Sequence, residues 1–513
     1  MEPGESEKVN NNQINILLLL LQKRHATTKS NVQCNDDNMM SSTNNLKLHT
    51  CGTVAPGYEL VRTLFEQHLS DGIEDRAQCC VYVKGIKVVD LWGTSPHTPK
   101  QERETIKYDG GSIQNVFSST KVLTSLVIAM LVDRGRLKYE QKVMDIWPEY
   151  GQKGKESTTV VQVMRHEAGL FRFEASLKAT DLTAARIKEG AVSDIIAAEF
   201  PEHVPGEKRV YHTMTRGWIV NEIVRRADVK KRTIGEFLQD EIGIPLGIEN
   251  ELLIGTPDHL HAKIARLKDV SVWWSWVQLL LPRGLGGGAV PVQSLVIRLF
   301  LIFGIPYYRF LKSTGLVKIM FPLLRWLEQW WWERRSGVSA KSKIESKNPL
   351  ELPEFPNHKS FPWITKSFNT PSVRRAEIPS ANGHCSARAM AKVAASIVEG
   401  GVLKDCPRIL SKEGVKMAHG NPVRKVMFGL FNSPFTNAGW NMFQEKNKKG
   451  RPGRDGFIGW MGLGGSVMQW HPTLRIGFGY AMNMLEITPS NERGRVLQEA
   501  AVLCAKGIEE SRL

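Results

Sequence analysis

Cysteine is scarce in this chain: seven residues in 513, an odd number, with no two spaced as Cys-x-x-Cys. That excludes a dense disulfide framework and a zinc site of paired cysteines. It reads as mostly reduced thiols in an intracellular protein. Long apolar runs are also missing. None reaches the roughly 18–20 residues of a bilayer-spanning helix. The short run Ile16–Leu21 follows Glu2, Glu5 and Glu7 instead of basic residues, which argues against a cleaved secretion signal. Gly-x-Ser-x-Gly is absent, so the nucleophile elbow of the α/β-hydrolases is not expected. His166-Glu167 lacks the second histidine of a zinc peptidase motif, and His166 is expected to hold a loop by hydrogen bonds. Gly284–Gly288 fits neither the P-loop nor the dinucleotide pattern and reads as a flexible loop. The basic stretch Lys446–Arg454 has no interleaved aromatics, so it reads as a solvated loop, and no nucleic-acid partner is expected. No residue pattern calls for a metal or cofactor.

The remaining composition is that of a globular protein: 42% apolar and 23% charged, with a net charge of +16. A chain this long can bury a large core. Residues 1–53 read as a disordered tail, with nine asparagines among the first fifty residues. Residues 54–513 read as one domain carrying an insertion and linker at 271–375. Helical spacing covers Tyr58–Leu69, and two short strands flank Gly85 within Cys80–Trp92. An apolar helix runs Val122–Val132 and stops at Gly135, which suits a left-handed helix end. Further helices are expected over Val160–Met164, Leu182–Ile187, Val192–Glu199, Gly217–Arg226, Ile234–Leu238, 386–399 and Arg493–Cys504. Strands are expected over Phe457–Trp460, Gly465–Trp470 and Arg475–Met482.

Ser118-x-x-Lys121 is the sole Ser-x-x-Lys in the chain, and it stands where an extended segment meets the apolar helix. Three residues are nearly one helical turn, so the hydroxyl and amine share a face. A lysine buried there would lose its charge through desolvation and could take the serine proton. The helix start offers free N–H groups to a developing oxyanion. Downstream come Met164-Arg-His-Glu-Ala-Gly-Leu170, then Val204-Pro-Gly-Glu207, Tyr211-His-Thr213, and finally Trp460-Met-Gly-Leu-Gly-Gly-Ser466.

In their order and rough spacing, from about residue 57 to 505, these motifs resemble the serine β-lactamase-related hydrolases. The likeness is to the class C enzymes, the related carboxylesterases and the serine peptidases of that clan. The resemblance implies an α+β fold: an antiparallel sheet flanked by helices, a mainly helical subdomain, and an active site in the cleft between them. It implies Ser118 as acylated nucleophile, Lys121 as base, and Tyr211 as proton-transfer partner with its phenolate favoured by a Lys121 ammonium. The backbone N–H groups of Ser118 and Leu463 would form the oxyanion hole. Gly462, Gly464 and Gly465 would let an edge strand approach the substrate.

The departures narrow the substrate. Thr213 stands where many relatives have asparagine. Trp460-Met461-Gly462 replaces Lys-Thr-Gly and removes the cation and hydroxyl that would hold a substrate carboxylate. An ester or amide without a required carboxylate is expected in place of a β-lactam antibiotic, with Thr213, Trp460, Met461 and Gly462 lining the cleft. The alternative is a non-catalytic scaffold or filament-forming protein that keeps the fold. The oligomeric state is not readable. Residues 271–335 hold seven of the fourteen tryptophans and a net charge of +6. Tryptophans and basic residues around short apolar stretches suit an anionic membrane surface, with internal packing as the competing reading.

Overall fold

The computed structural model describes residues 49–105, 107–269, 350–351, 362–428, 431–444, 454–485 and 492–510. Most of the expected tail, the Trp-rich stretch 271–335 and nearly all of the basic loop 446–454 lie outside the described residues.

The main sheet has ten strands: β1 (His49–Val54), β2 (Arg76–Val83), β3 (Ile86–Thr94), β4 (Arg209–Val210), β5 (Val423–Phe428), β6 (Phe431–Phe435), β7 (Asn441–Met442), β8 (Ile458–Met461), β9 (Val467–His471) and β10 (Ile476–Met482). Their order is β1-β3-β2-β10-β9-β8-β7-β6-β5-β4. Pairing is antiparallel except between β4 and β5. The helices used below are α1 (Glu59–Ser70), α2 (Thr120–Asp133), α3 (Val160–Met164), α4 (Thr215–Ala227), α5 (Ala387–Val398) and α6 (Glu492–Glu510). The α+β architecture expected from the motifs is the one observed.

Two packing choices place the site. Helix α5 lies against β10, and the strand supplies Gly477 and Gly479 where the helix comes closest. A Cβ at Gly479 would stand 2.2 Å from the Ala387 carbonyl oxygen, and one at Gly477 2.5 Å from the Ala395 nitrogen. Alanine on the helix and glycine on the strand together allow this approach. Helix α2 is apolar on every side, and every residue from Thr120 to Leu131 is buried, as such a helix requires. It ends before Gly135, whose φ of +68° gives the left-handed terminus read from the sequence. The nucleophile motif therefore starts a helix that runs through the centre of the molecule.

Several boundaries differ from expectation. Residues 49–53, assigned to the tail, form most of β1, paired to β3 from His49↔Thr94 to Val54↔Val89. A polar strand of Thr, Gly and Cys carries little hydrophobic signal. The end of the expected linker, 362–375, is built into the domain as helices Pro362–Phe368 and Pro371–Arg375. Phe368 is buried against Phe117, with ring centroids 5.1 Å apart. Strand β8 is not an edge of the sheet, because Asn441↔Gly459 and Met442↔Ile458 continue it. That second partner stops short of Trp460 and Met461, so only the end of β8 next to the nucleophile is open. Cys79, Cys80, Cys385, Cys406 and Cys504 are free, in line with the reading of mostly reduced thiols, and Cys51 is disulfide-bonded. Among the described residues no helix is long and apolar enough to cross a membrane.

Candidate active site

Ser118 lies in the single 3₁₀ turn Phe117–Ser119 that feeds α2. Phe117 has φ +43°, a left-handed conformation that costs an aromatic residue energy. Its surroundings hold it there. The Phe117 N–H donates to Asn115 Oδ1 (2.9 Å), the Val116 N–H to the Gly383 carbonyl (2.8 Å), and the ring packs on Phe368. The turn presents Ser118 Oγ 2.5 Å from the Tyr211 hydroxyl and 3.3 Å from Lys121 Nζ. The three side chains, predicted from two separate motifs, therefore meet at one point.

Lys121 is fully buried and, among the described residues, contacts no carboxylate. Its Nζ donates to the carbonyls of Thr213 (2.8 Å) and Ser380 (2.9 Å). Burial, reinforced by the Arg216 guanidinium, holds it well below the usual lysine range. Burial pushes the Tyr211 phenol up to about 12, more than the Ser118 hydrogen bond and Arg216 lower it. Both shifts favour the uncharged forms, a phenol beside an amine, over the expected phenolate beside an ammonium.

The other expected residues take different positions. Thr213 contributes its carbonyl to Lys121, and its side chain is exposed. Trp460 is 2% exposed, so it forms a back wall and offers no cleft surface. It stacks on Tyr211 (5.9 Å), meets His166 and Phe435 edge-on, and donates from Nε1 to the Gly439 carbonyl at 3.2 Å. Met461 and Gly462 are partly exposed and Leu463 is exposed. Within the loop after β8, the Gly462 N–H donates to the Ser466 carbonyl (2.8 Å) and the Gly465 N–H to the Gly462 carbonyl (3.2 Å). The second bond fixes the Gly462–Leu463 peptide plane, so the Leu463 N–H points the opposite way from that carbonyl.

His166, with φ +64°, holds the neighbouring loop as expected: its Nδ1 accepts from the His212 N–H at 3.1 Å. His212 Nδ1 donates to the Val210 carbonyl (2.7 Å) and its Nε2 accepts from the Leu170 N–H (3.1 Å). Burial pushes His212 down to about 3, so both ring nitrogens are committed to structure.

Sequence reasoning missed four contributors. The loop Glu377–His384 supplies the Ser380 carbonyl to Lys121 and the Gly383 carbonyl to Val116. Its signal was a Pro-Ser-Ala-Asn-Gly turn directly before the Ala-rich helix. Arg216, on α4, is buried and reaches Ser125 Oγ at 2.6 Å, one turn beyond Lys121. Ser119 and Ser466 join the nucleophile turn to the loop after β8.

A serine, a buried lysine whose charge burial disfavours and a tyrosine gathered at a helix start, beside the open end of a sheet strand, define a class: serine hydrolases of the Ser-x-x-Lys type. The chain belongs to the beta-lactamase family, whose model matches residues 61–502. It is 26% identical over 417 residues to the esterase/beta-lactamase LipL of Mycobacterium tuberculosis, covering 79% of this chain and 76% of LipL. A penicillin-binding protein homologue from Caulobacter crescentus superposes with a TM-score of 0.60 at 26% identity, covering 89% of this chain and 99% of that one. A family VIII carboxylesterase shares the fold with a TM-score of 0.63 at 24% identity, over 89% of this chain and 99% of that one. Family membership and the assembled cluster together make this protein a serine hydrolase.

Proposed function

We propose that the protein hydrolyses an uncharged carboxylic ester through an acyl-enzyme at Ser118. One observation carries this reading: how the Lys121 amine is bound. Neutral, it has two N–H bonds and one lone pair. The carbonyls of Thr213 and Ser380 use both N–H bonds, which leaves the lone pair for the Ser118 hydroxyl. Lys121 takes the Ser118 proton as Oγ bonds to the substrate carbonyl carbon. The carbonyl oxygen becomes an oxyanion facing the N–H groups of Ser118 and Leu463. Collapse breaks the bond to the leaving oxygen, which takes a proton from Tyr211, and the Lys121 ammonium returns its proton to the tyrosine. Water then cleaves the acyl-enzyme by the same path in reverse.

Substrate choice follows from the open side. Leu463, Met461 and Thr213 are the accessible groups among the expected contacts, and they bring no charge to the cleft. LipL, named an esterase/beta-lactamase, is a relative on which an ester substrate is a natural reading. A fluorophosphonate probe tests the nucleophile. The wild type is expected to label, whereas folded Ser118→Ala and Lys121→Ala are not. Short p-nitrophenyl esters should turn over much faster than a chromogenic cephalosporin. Ser118-independent labelling, or ester turnover by Ser118→Ala equal to wild type, overturns the proposal.

A further inference from the structure

The oxyanion hole proposed above has its two donors on separate pieces of chain, Ser118 on the turn into α2 and Leu463 on the loop after β8. Catalysis by such a hole depends on donors held in place before the charge appears. Both pieces converge on one hydroxyl. Ser466 Oγ donates to the Val116 carbonyl at 2.6 Å and lies 3.1 Å from Ser119 Oγ. Ser119 Oγ also donates to the Ser466 carbonyl (3.3 Å), and that carbonyl accepts from the Gly462 N–H (2.8 Å). All of these groups belong to fully or partly buried residues. They flank the two donor residues: Val116 and Ser119 bracket Ser118, and Gly462 and Ser466 bracket Leu463.

The far side of the loop is pinned as well. Arg493, at the start of α6, donates to the Gly464 carbonyl (2.5 Å) and the Met484 carbonyl (2.9 Å). Its other nitrogen pairs with buried Glu74 at 2.7 Å. The loop therefore has a fixed anchor behind it, and the Ser466–Ser119 pair is what ties it to the nucleophile turn. Gly462 shows how tight that tie is: a Cβ there would stand 2.2 Å from both the Val116 carbonyl oxygen and Ser466 Oγ.

We infer that Ser466 and Ser119 form a clasp that sets the spacing of the Ser118 and Leu463 amides, making them positioning residues for the oxyanion hole. Neither hydroxyl transfers a proton in the reaction or touches substrate. The inference rests on the acyl-enzyme reading at Ser118. It predicts a specific kinetic signature: loss in the step where the oxyanion forms, with substrate binding intact.

The test uses the full chain and one p-nitrophenyl ester. Wild type must first label with fluorophosphonate in a Ser118-dependent way; if it does not, the acyl-enzyme reading fails and the clasp is not the cause. Given labelling, Ser466→Ala is expected to lower kcat by roughly tenfold to a hundredfold, with KM within about twofold. The rate of fluorophosphonate inactivation should fall in parallel, because its P–O oxygen occupies the same hole. Ser466→Thr, which restores a hydroxyl, should recover most of kcat. Ser119→Ala, which leaves the Ser466–Val116 bond, should lose less, and the double alanine variant should lose no more than Ser466→Ala alone. If Ser466→Ala does not fold, Ser119→Ala and Ser466→Thr carry the comparison. Wild-type kcat in folded Ser466→Ala or, failing that variant, in folded Ser119→Ala, a loss confined to KM, or independent multiplicative losses in the double variant overturns the inference.

Discussion

The two walls around Ser118 are made of different material. One wall holds side chains that can carry or move a proton: Lys121, Tyr211 and, behind them, Arg216. The other is backbone amide and small residues: Gly462, Leu463 and the Ser466 hydroxyl. The first wall works because it is buried. Desolvation disfavours the charged forms of both Lys121 and Tyr211. The second works because it is close. Its chemistry depends on where two peptide planes sit, and a single extra carbon disturbs that.

The comparison is broken most sharply on the backbone wall. Gly462→Ala inserts a Cβ 2.2 Å from the Val116 backbone oxygen, so either the nucleophile turn or the loop must move. The expected loss in kcat is about 10²–10³, the cost of one oxyanion donor. Labelling kinetics and ester kcat check it. A folded Gly462→Ala enzyme with wild-type kcat would show that the second wall tolerates displacement and that proximity is not its principle.

The same division explains what could be read from the sequence. Ser118 and Lys121 are legible because side-chain chemistry at helical spacing leaves a pattern, and Tyr211 through the family resemblance in the order of the motifs. Other elements are legible from apolar patterning, with α3 matching Val160–Met164 at both ends and β10 following a near-continuous apolar run. Carbonyl acceptors leave no such trace. Ser380 serves Lys121 from 259 positions away through an atom every residue possesses. Thr213 was singled out for its hydroxyl, yet it is its carbonyl that holds the amine. Trp460 was misread because an aromatic near a motif suggests a lining residue, when the sheet had buried it. Strand β5 was missed because Arg424 and Lys425 interrupt its apolar pattern.

A second change sharpens the side-chain wall. Arg216 is fully buried, and its Nε and Nη1 have no hydrogen-bond partner among the described residues. Its neighbours are Lys121, Tyr211, His166 and His212, none of which supplies a carboxylate, and its charge disfavours protonation of the lysine and both histidines. Removing the guanidinium lets Lys121 hold its proton to higher pH. Arg216→Met should therefore move the acid limb of kcat/KM upward. Activity on that limb should fall about tenfold for each pH unit of displacement, while the alkaline plateau stays near wild type. Loss of an unpaired buried charge should leave Tm little changed despite the severed Ser125 bond. An unmoved acid limb would mean that burial alone sets the amine.

The mildest change tests whether the side-chain wall is tuned from further away. Glu377 opens the loop that carries Ser380. It is buried, and it accepts from Thr233 Oγ1 (2.6 Å), Asn221 Nδ2 (3.1 Å) and the Gly235 N–H (3.2 Å). Burial outweighs those bonds and pushes its carboxyl up to about 7 from the ordinary 4.5. A raised folded-state value means that the native protein binds more protons than the unfolded chain between those two pH values. Stability from this group is thus full below pH 4.5, falls as pH rises, and is lost above about 7. Glu377→Gln stays neutral throughout, and its amide can face the Thr233 hydroxyl, which accepts as well as donates. The difference in Tm between variant and wild type should grow in the variant's favour from pH 5 to pH 8, with kcat at the optimum within about twofold. A flat difference would show that the bonds to Thr233, Asn221 and Gly235 compensate for burial. If the difference grows and kcat falls too, the position of the Ser380 carbonyl depends on this carboxyl, and the proton wall extends one layer deeper than Lys121 and its direct partners.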